Sequence, residues 1–171
     1  FNPTFEFTGF RGLASHGAAL GIITAMYLYN SRILKKSMLW ILDRILIPVA
    51  IGGAFIRIGN FFNSEIVGKE TDSPFGVVFS KLGEDFARHP AQLYEAFSYI
   101  IIFFIVAHIY WRTEKIKKTG YLFGLFFVLL WVSRFIVEFF KQAQVDGRED
   151  WIFGMNTGQT LSIPFILIGL Y

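Results

Sequence analysis

Apolar residues run in long blocks along this chain, broken by short clusters of charge. A helix that crosses about 30 Å of hydrocarbon needs about 20 mostly apolar residues. Five blocks meet that length or nearly do: residues 12–30, 38–62, 90–111, 120–140 and 157–171, the last cut short by the end of the chain. The pattern predicts an all-α fold, a polytopic membrane bundle of about five transmembrane helices forming one transmembrane domain over residues 1–171, with an outer loop at about 63–89. No internal repeat, low-complexity run or second domain interrupts it.

Composition agrees with the pattern. Hydrophobic residues make up 54% of the chain and aromatic residues 19%, while charged residues are 17%, below the roughly 25% of soluble domains. There are 21 Phe and no Cys. The missing cysteine excludes a disulfide framework, a thiolate metal site and a cysteine nucleophile of the chain's own, so any thiol chemistry needs a thiol brought by a substrate. A net charge of +3 is too small to argue for a nucleic-acid partner, and the placement of the cations matters more. The chain opens on Phe1-Asn2-Pro3, and no basic stretch precedes a short apolar run. No signal peptide is expected, and a start partway into a longer protein is.

Lys and Arg in short loops near a span stay on the cytoplasmic side. The connection after the first block carries Arg32, Lys35 and Lys36, and the one after the third carries Arg112, Lys115, Lys117 and Lys118. On the other side, Lys69, Lys81 and Arg88 are diluted by Glu65, Glu70, Asp72, Glu84 and Asp85, and Arg11, Lys141 and Arg148 complete the set. The amino end is expected outside and the carboxyl end inside. Trp40, Trp111, Tyr110 and Tyr121 suit an aromatic belt at the inner boundary.

With that orientation, the polar residues of all five blocks fall at the outer end. His16 lies near the start of the first, Arg57 and Asn60 near the end of the second, and Gln92, Tyr94 and Glu95 open the third. Arg134 and Glu138 close the fourth, and Gly158 and Gln159 open the fifth. Arg134 sits about 21 Å along its helix from Gly120, a depth where a charge is unfavourable by a few kcal/mol unless paired or hydrated.

Arg134 and Glu138, four apart, share a helix face. They form either an internal ion pair that locks the bundle or the lining of a wet cavity where Arg134 also holds an anion through its planar fork. In the stretch 52–68, four glycines permit close approach of backbones or headgroups, and Arg57 and Asn60 project from one face. A snorkelling Arg at a small-residue interface explains Arg57 but not Asn60, Asn63 and Glu65 beyond it. A lone His such as His16 is more often structural, although imidazole near an interface suits general-base work. His89, ahead of Pro90, reads as a cap and interface anchor, and His108 as structural. The three His are scattered without carboxylates at ligand spacing, so neither a metal site nor a cofactor is expected.

The run Arg57-Ile58-Gly59-Asn60-Phe61-Phe62-Asn63-Ser64-Glu65 resembles the signature of the bacterial prolipoprotein diacylglyceryl transferases. Four further blocks agree in order: Ser15-His16-Gly17, Arg88-His89-Pro90-Ala91-Gln92-Leu93-Tyr94-Glu95, Arg134-Phe135-Ile136-Val137-Glu138-Phe139, and residues 158–164. The resemblance implies transfer of an sn-1,2-diacylglyceryl group from phosphatidylglycerol to the lipobox cysteine of a prolipoprotein signal peptide, at the outer leaflet of the bacterial inner membrane and among membrane lipids. It implies His16, Arg57 and Arg134 as catalytic residues, His16 helping to deprotonate the thiol and the arginines binding the phosphate. It also implies that Asn60, Glu65, Gly68, Tyr94 and Glu138 bind and orient the substrate. Asp43 falls where the family has an Asp, near the opposite face, and is read as structural. The chain departs from the pattern in having Ser64 where Gly is usual, Gly-Ala after His16 where Gly-Gly is common, a short outer loop, and none of the two further spans that family members carry upstream. A small lipid or solute transporter would be expected to place polar groups near the midplane, often with a repeat, and a structural membrane subunit needs no Arg and Glu at converging outer ends.

Overall fold

A computed structural model describes residues 15–142 and 154–171. Its helices are α1 (Ser15–Tyr29), α2 (Met38–Asn63), α3 (Ala91–Arg112), α4 (Tyr121–Val137) and α5 (Thr157–Leu170). Strands β1 (Val77–Val78) and β2 (Ala87–Arg88) pair antiparallel, with Val77 opposite Arg88. Each helix lies within or against one of the apolar blocks. The largest difference is the end of α4, where the N–H groups of Phe139 and Phe140 turn back to Ile136 and Val137 in tight i→i+3 bonds that close the helix early. Helices α2 and α3 are long and apolar enough to cross a membrane, and α4 and α5 are apolar but shorter.

The chain divides into two compact units, Phe1–Met38 and Leu39–Tyr171. In the first, α1 runs into a π-helical turn, Asn30–Leu34, that ends on Lys35 at φ 50°. The Asn30 side chain accepts from Lys36 N at 2.9 Å and donates to Lys36 O at 2.6 Å, tying off that turn.

In the second unit, a buried carboxylate sets the relation of α2 to α4. Asp43, 1% exposed, accepts from Gly120 N at 2.6 Å and from Phe123 N at 2.8 Å. It thereby satisfies two of the four N–H groups that any helix leaves unpaired at its start, as a cap lent by a neighbouring helix. Gly120, at φ 91°, takes a backbone conformation that side chains disfavour. The two helices therefore begin at the same end, and Asp43 has the structural position expected of it.

Helix α5 returns antiparallel to α4. A Cβ on Gly124 would lie 2.8 Å from Gly169 O, so the two backbones cross where neither can carry a side chain. Trp131 stacks on Phe165 at 4.3 Å on the same seam. The core joins Leu46, Ala50 and Ala54 of α2 to Tyr99, Ile102 and Val106 of α3 and to Leu122 and Phe126 of α4. Large apolar side chains such as Phe55, Ile56, Phe97, Phe104 and Leu167 face outward, as they do where the surroundings are lipid and the close contacts between helices fall to small residues.

Candidate active site

The end of the bundle opposite Asp43 gathers side chains from α2, α3, the end of α4 and the turn after it. Arg57 Nε lies 2.8 Å from Glu95 Oε2, and Lys141 Nζ lies 3.6 Å from Glu95 Oε1 and 3.4 Å from Glu138 Oε2. The order Arg57, Glu95, Lys141, Glu138 alternates in sign and sums to zero. Glu95 is 0% exposed, Lys141 3% and Glu138 9%. Charges this deep persist only when paired.

Arg57 thus has a carboxylate partner, and it is Glu95. Glu138 does not pair with Arg134, although the two are four apart; its ion partner is Lys141. The internal Arg134–Glu138 bridge that the spacing allowed does not form. Among the described residues Arg134 has no carboxylate within ion-pair distance, and its guanidinium stands 5.5 Å over the Trp131 ring. The start of α5 also confines Glu138. Asn156 Nδ2 donates to Glu138 O at 3.2 Å, and a Cβ on Gly158 would collide with the Glu138 carboxylate. Asn156 and Gln159 cap each other's backbone N–H, so the Asn156 side chain holds its position at that helix start.

Around the ladder, Asn60 Nδ2 donates to Glu65 Oε2 at 2.7 Å, and Gln92 Nε2 donates to Glu65 O at 2.6 Å. Glu65 sits between Ser64 at φ 59° and Ile66 at φ 57°. Two left-handed residues without glycine are costly, roughly 1–2 kcal/mol each, and they fold Glu65 back over the end of α2. At φ 59°, Ser64 takes a conformation that glycine adopts without a steric penalty.

Gly68 is buried where backbone segments converge. Its N–H donates to His89 O at 3.0 Å, Lys69 N donates to Phe140 O at 2.8 Å, and Gln142 N donates to Val67 O at 3.3 Å. A Cβ on Gly68 would collide with His89 O and lie 2.7 Å from Phe140 O, so three backbone segments close on it. Arg88 joins the same segments, donating to Gly68 O and to Gln142 Oε1 while forking onto Glu84 with two bonds of 2.6 Å. Tyr94 OH lies 3.1 Å from His89 Nδ1, and both rings pack edge-on against Phe140. His89 is not the cap that the sequence suggested, because Pro90 takes the cap position just before α3 and the imidazole turns to Tyr94 instead.

Of the residues expected to act, the structure brings Arg57, Asn60, Glu65, Gly68, Tyr94, Arg134 and Glu138 to this end of the second unit. The side chain of His16, near the start of α1, lies outside the described residues. Sequence reasoning passed over Glu95 and Lys141. Glu95 was visible as a carboxylate opening a span, and Lys141 as a cation three residues past Glu138, but the spacing gives no sign that they meet across 46 residues of chain. Among the described residues no group of His, Cys, Asp and Glu is placed to hold a metal ion. Two apolar hollows of about 260 and 490 Å³ lie between α3 and α4 and share Ser98, Ile136 and Val137. A further one of about 640 Å³ lies at the far end, beside Gly120 and Gly169.

Fold and site together define a helical membrane protein with a charged, polar centre at one end of its bundle. The family model described as prolipoprotein diacylglyceryl transferase matches residues 5–171, and the chain belongs to that family. It is similar to proteins named phosphatidylglycerol–prolipoprotein diacylglyceryl transferase from Tolumonas auensis (46% identical, 93% of this chain and 60% of the relative), Bacteroides fragilis (42%, 98% and 59%) and Porphyromonas gingivalis (40%, 99% and 64%). The chain spans about three-fifths of the length of these relatives. No solved structure matches it.

Proposed function

We propose that the protein transfers an sn-1,2-diacylglyceryl group from phosphatidylglycerol to the lipobox cysteine of prolipoproteins. The cysteine sulfur forms a C–S bond to the glycerol carbon of the diacylglyceryl group, the C–O bond to phosphate breaks, glycerol phosphate leaves, and the thiol proton passes to a base. Membership of the family and the names of the relatives support this reading. The structural observation that carries it is Arg134, an intramembrane cation without a carboxylate partner among the described residues, beside a ladder whose other charges are already balanced. A phosphodiester headgroup supplies the anion that position calls for, bound through the guanidinium fork. As the C–O bond breaks, negative charge grows on the phosphate, and a fixed cation stabilises that growth more than the ground state.

His16 is proposed as the base, since a neutral imidazole accepts a proton near physiological pH. Arg57, aligned by Glu95, is the second phosphate ligand. Asn60 and Glu65 form the polar rim, Tyr94 positions the substrate beside the α3–α4 hollow, Gly68 closes the backbone behind it, and Glu138, held by Lys141 rather than by either arginine, lines the charged end of the site. The five helices are read as spans of the bacterial inner membrane, in one domain, with the amino end and the 63–89 loop outside, where lipid and exported signal peptide meet. A lipobox peptide incubated with the purified full-length protein and phosphatidylglycerol should gain a diacylglyceryl adduct by mass spectrometry. No adduct from folded, membrane-reconstituted full-length protein overturns the reading.

A further inference from the structure

Lys141 is nearly inaccessible, so its role lies in the side chains it holds. It reaches two carboxylates at once, Glu95 at 3.6 Å and Glu138 at 3.4 Å. Its backbone is bridged to Gly68 and flanked by Lys69 N→Phe140 O and Gln142 N→Val67 O, which fixes the level at which the ammonium enters the ladder. Glu138 stands one helical turn beyond Arg134, and residues at that spacing on a helix meet readily when nothing else engages them. Yet the Glu138 carboxylate is turned to Lys141 and to the start of α5, and Arg134 lies over Trp131 instead.

We propose that Lys141 is a positioning residue that sequesters Glu138 from Arg134, keeping Arg134 electrostatically open for the phosphate of the lipid. Without Lys141, the Glu138 carboxylate loses its ion partner, and Arg134 is the nearest cation on its own helix. The anion site would then be filled from within. Lys141 also shares Glu95 with Arg57, so it balances a carboxylate that otherwise draws on Arg57 alone. This inference rests on the phosphate-binding reading of Arg134, but the ion-pair exchange at its centre can be tested without turnover.

The test is a double-mutant cycle between Arg134→Met and Glu138→Gln, read as thermal stability of the full-length protein, once with Lys141 present and once in Lys141→Met. Coupling should be near zero with Lys141 and appear only in its absence. Equal coupling in both backgrounds, or none in either, overturns the proposal. A second arm reads KM for phosphatidylglycerol in mixed micelles. Lys141→Met should raise KM about tenfold or more, the scale of one lost hydrogen bond to a charged group, with a smaller change in kcat, and Lys141→Arg should retain most of the affinity. Adding Glu138→Gln to Lys141→Met removes the stranded carboxylate, which also guards against misfolding, and should return KM to that of Glu138→Gln alone. A double variant as weak as Lys141→Met, though folded, overturns the proposal. If Arg134→Met itself leaves KM unchanged while the stability coupling behaves as stated, the phosphate reading fails and the sequestration stands.

Discussion

Arg57 and Arg134 share a residue type and differ in company. Glu95 grips Arg57 at 2.8 Å, whereas Arg134 rests over an aromatic ring. Lysine in place of either keeps the charge but loses the planar fork. Arg57→Lys and Arg134→Lys should each lower activity about tenfold or more with little change in melting temperature, and Glu95→Gln is the control for simple ion pairing of Arg57. Near-normal turnover by both Lys variants would reduce the arginines to positional charges. For His16, replacement by Ala should lower turnover about 10²-fold or more, the usual scale for a general base. An unchanged rate in folded, membrane-inserted protein would make it a structural histidine.

At the scale of elements, α4 is held at both ends by acidic side chains with different tasks. Asp43 caps its start through two backbone N–H groups, and Glu138, just past its end, belongs to the charge ladder. Asp43→Ala should cost about 2–4 kcal/mol, the loss of two hydrogen bonds to a buried carboxylate. Hydrogen exchange should speed up at Gly120 and Phe123 first; unchanged protection there would show that packing alone sets the start of α4. The loop before α3 depends on the Arg88 fork onto Glu84. Hydrogen bonds from Arg88, joined by its charge, hold the Glu84 carboxyl below the usual carboxylate range, against desolvation that pushes it up. A depressed pKa means that this pairing supports the folded loop above the usual carboxylate pKa and is lost as pH falls through the lowered one. Limited proteolysis between residues 63 and 89 should therefore accelerate on acidification, and Glu84→Gln should already be cut faster at neutral pH. A variant cut no faster than the parent would remove the fork from the account of the loop.

For the whole molecule, the proposed topology rests on the cations Arg32, Lys35, Lys36, Arg112, Lys115, Lys117 and Lys118 of two short loops. Because the chain has no Cys, single cysteines at Lys81 and Lys117 report on it directly. An impermeant thiol reagent should label the Lys81 site in intact cells and spare the Lys117 site; the reverse pattern would invert the proposed topology. Helix positions and the all-α class were legible in the sequence because apolar length is a local property, set by the thickness of hydrocarbon to be crossed. Within the second unit, the gathering of polar residues at one end was legible too, because they stand at matching ends of successive apolar blocks. Residue types and spacing left open whether Arg134 and Glu138 pair, since four residues on one helix bring two side chains within reach without saying what else competes for them. Tertiary structure decided it. A backbone closure at Gly68 carries Lys141 inward, α3 brings Glu95 to Arg57, and the start of α5 crowds Glu138. In a buried site each charge takes the partner that three-dimensional packing presents, because an unpaired charge there is costly and sequence distance has no bearing on that cost.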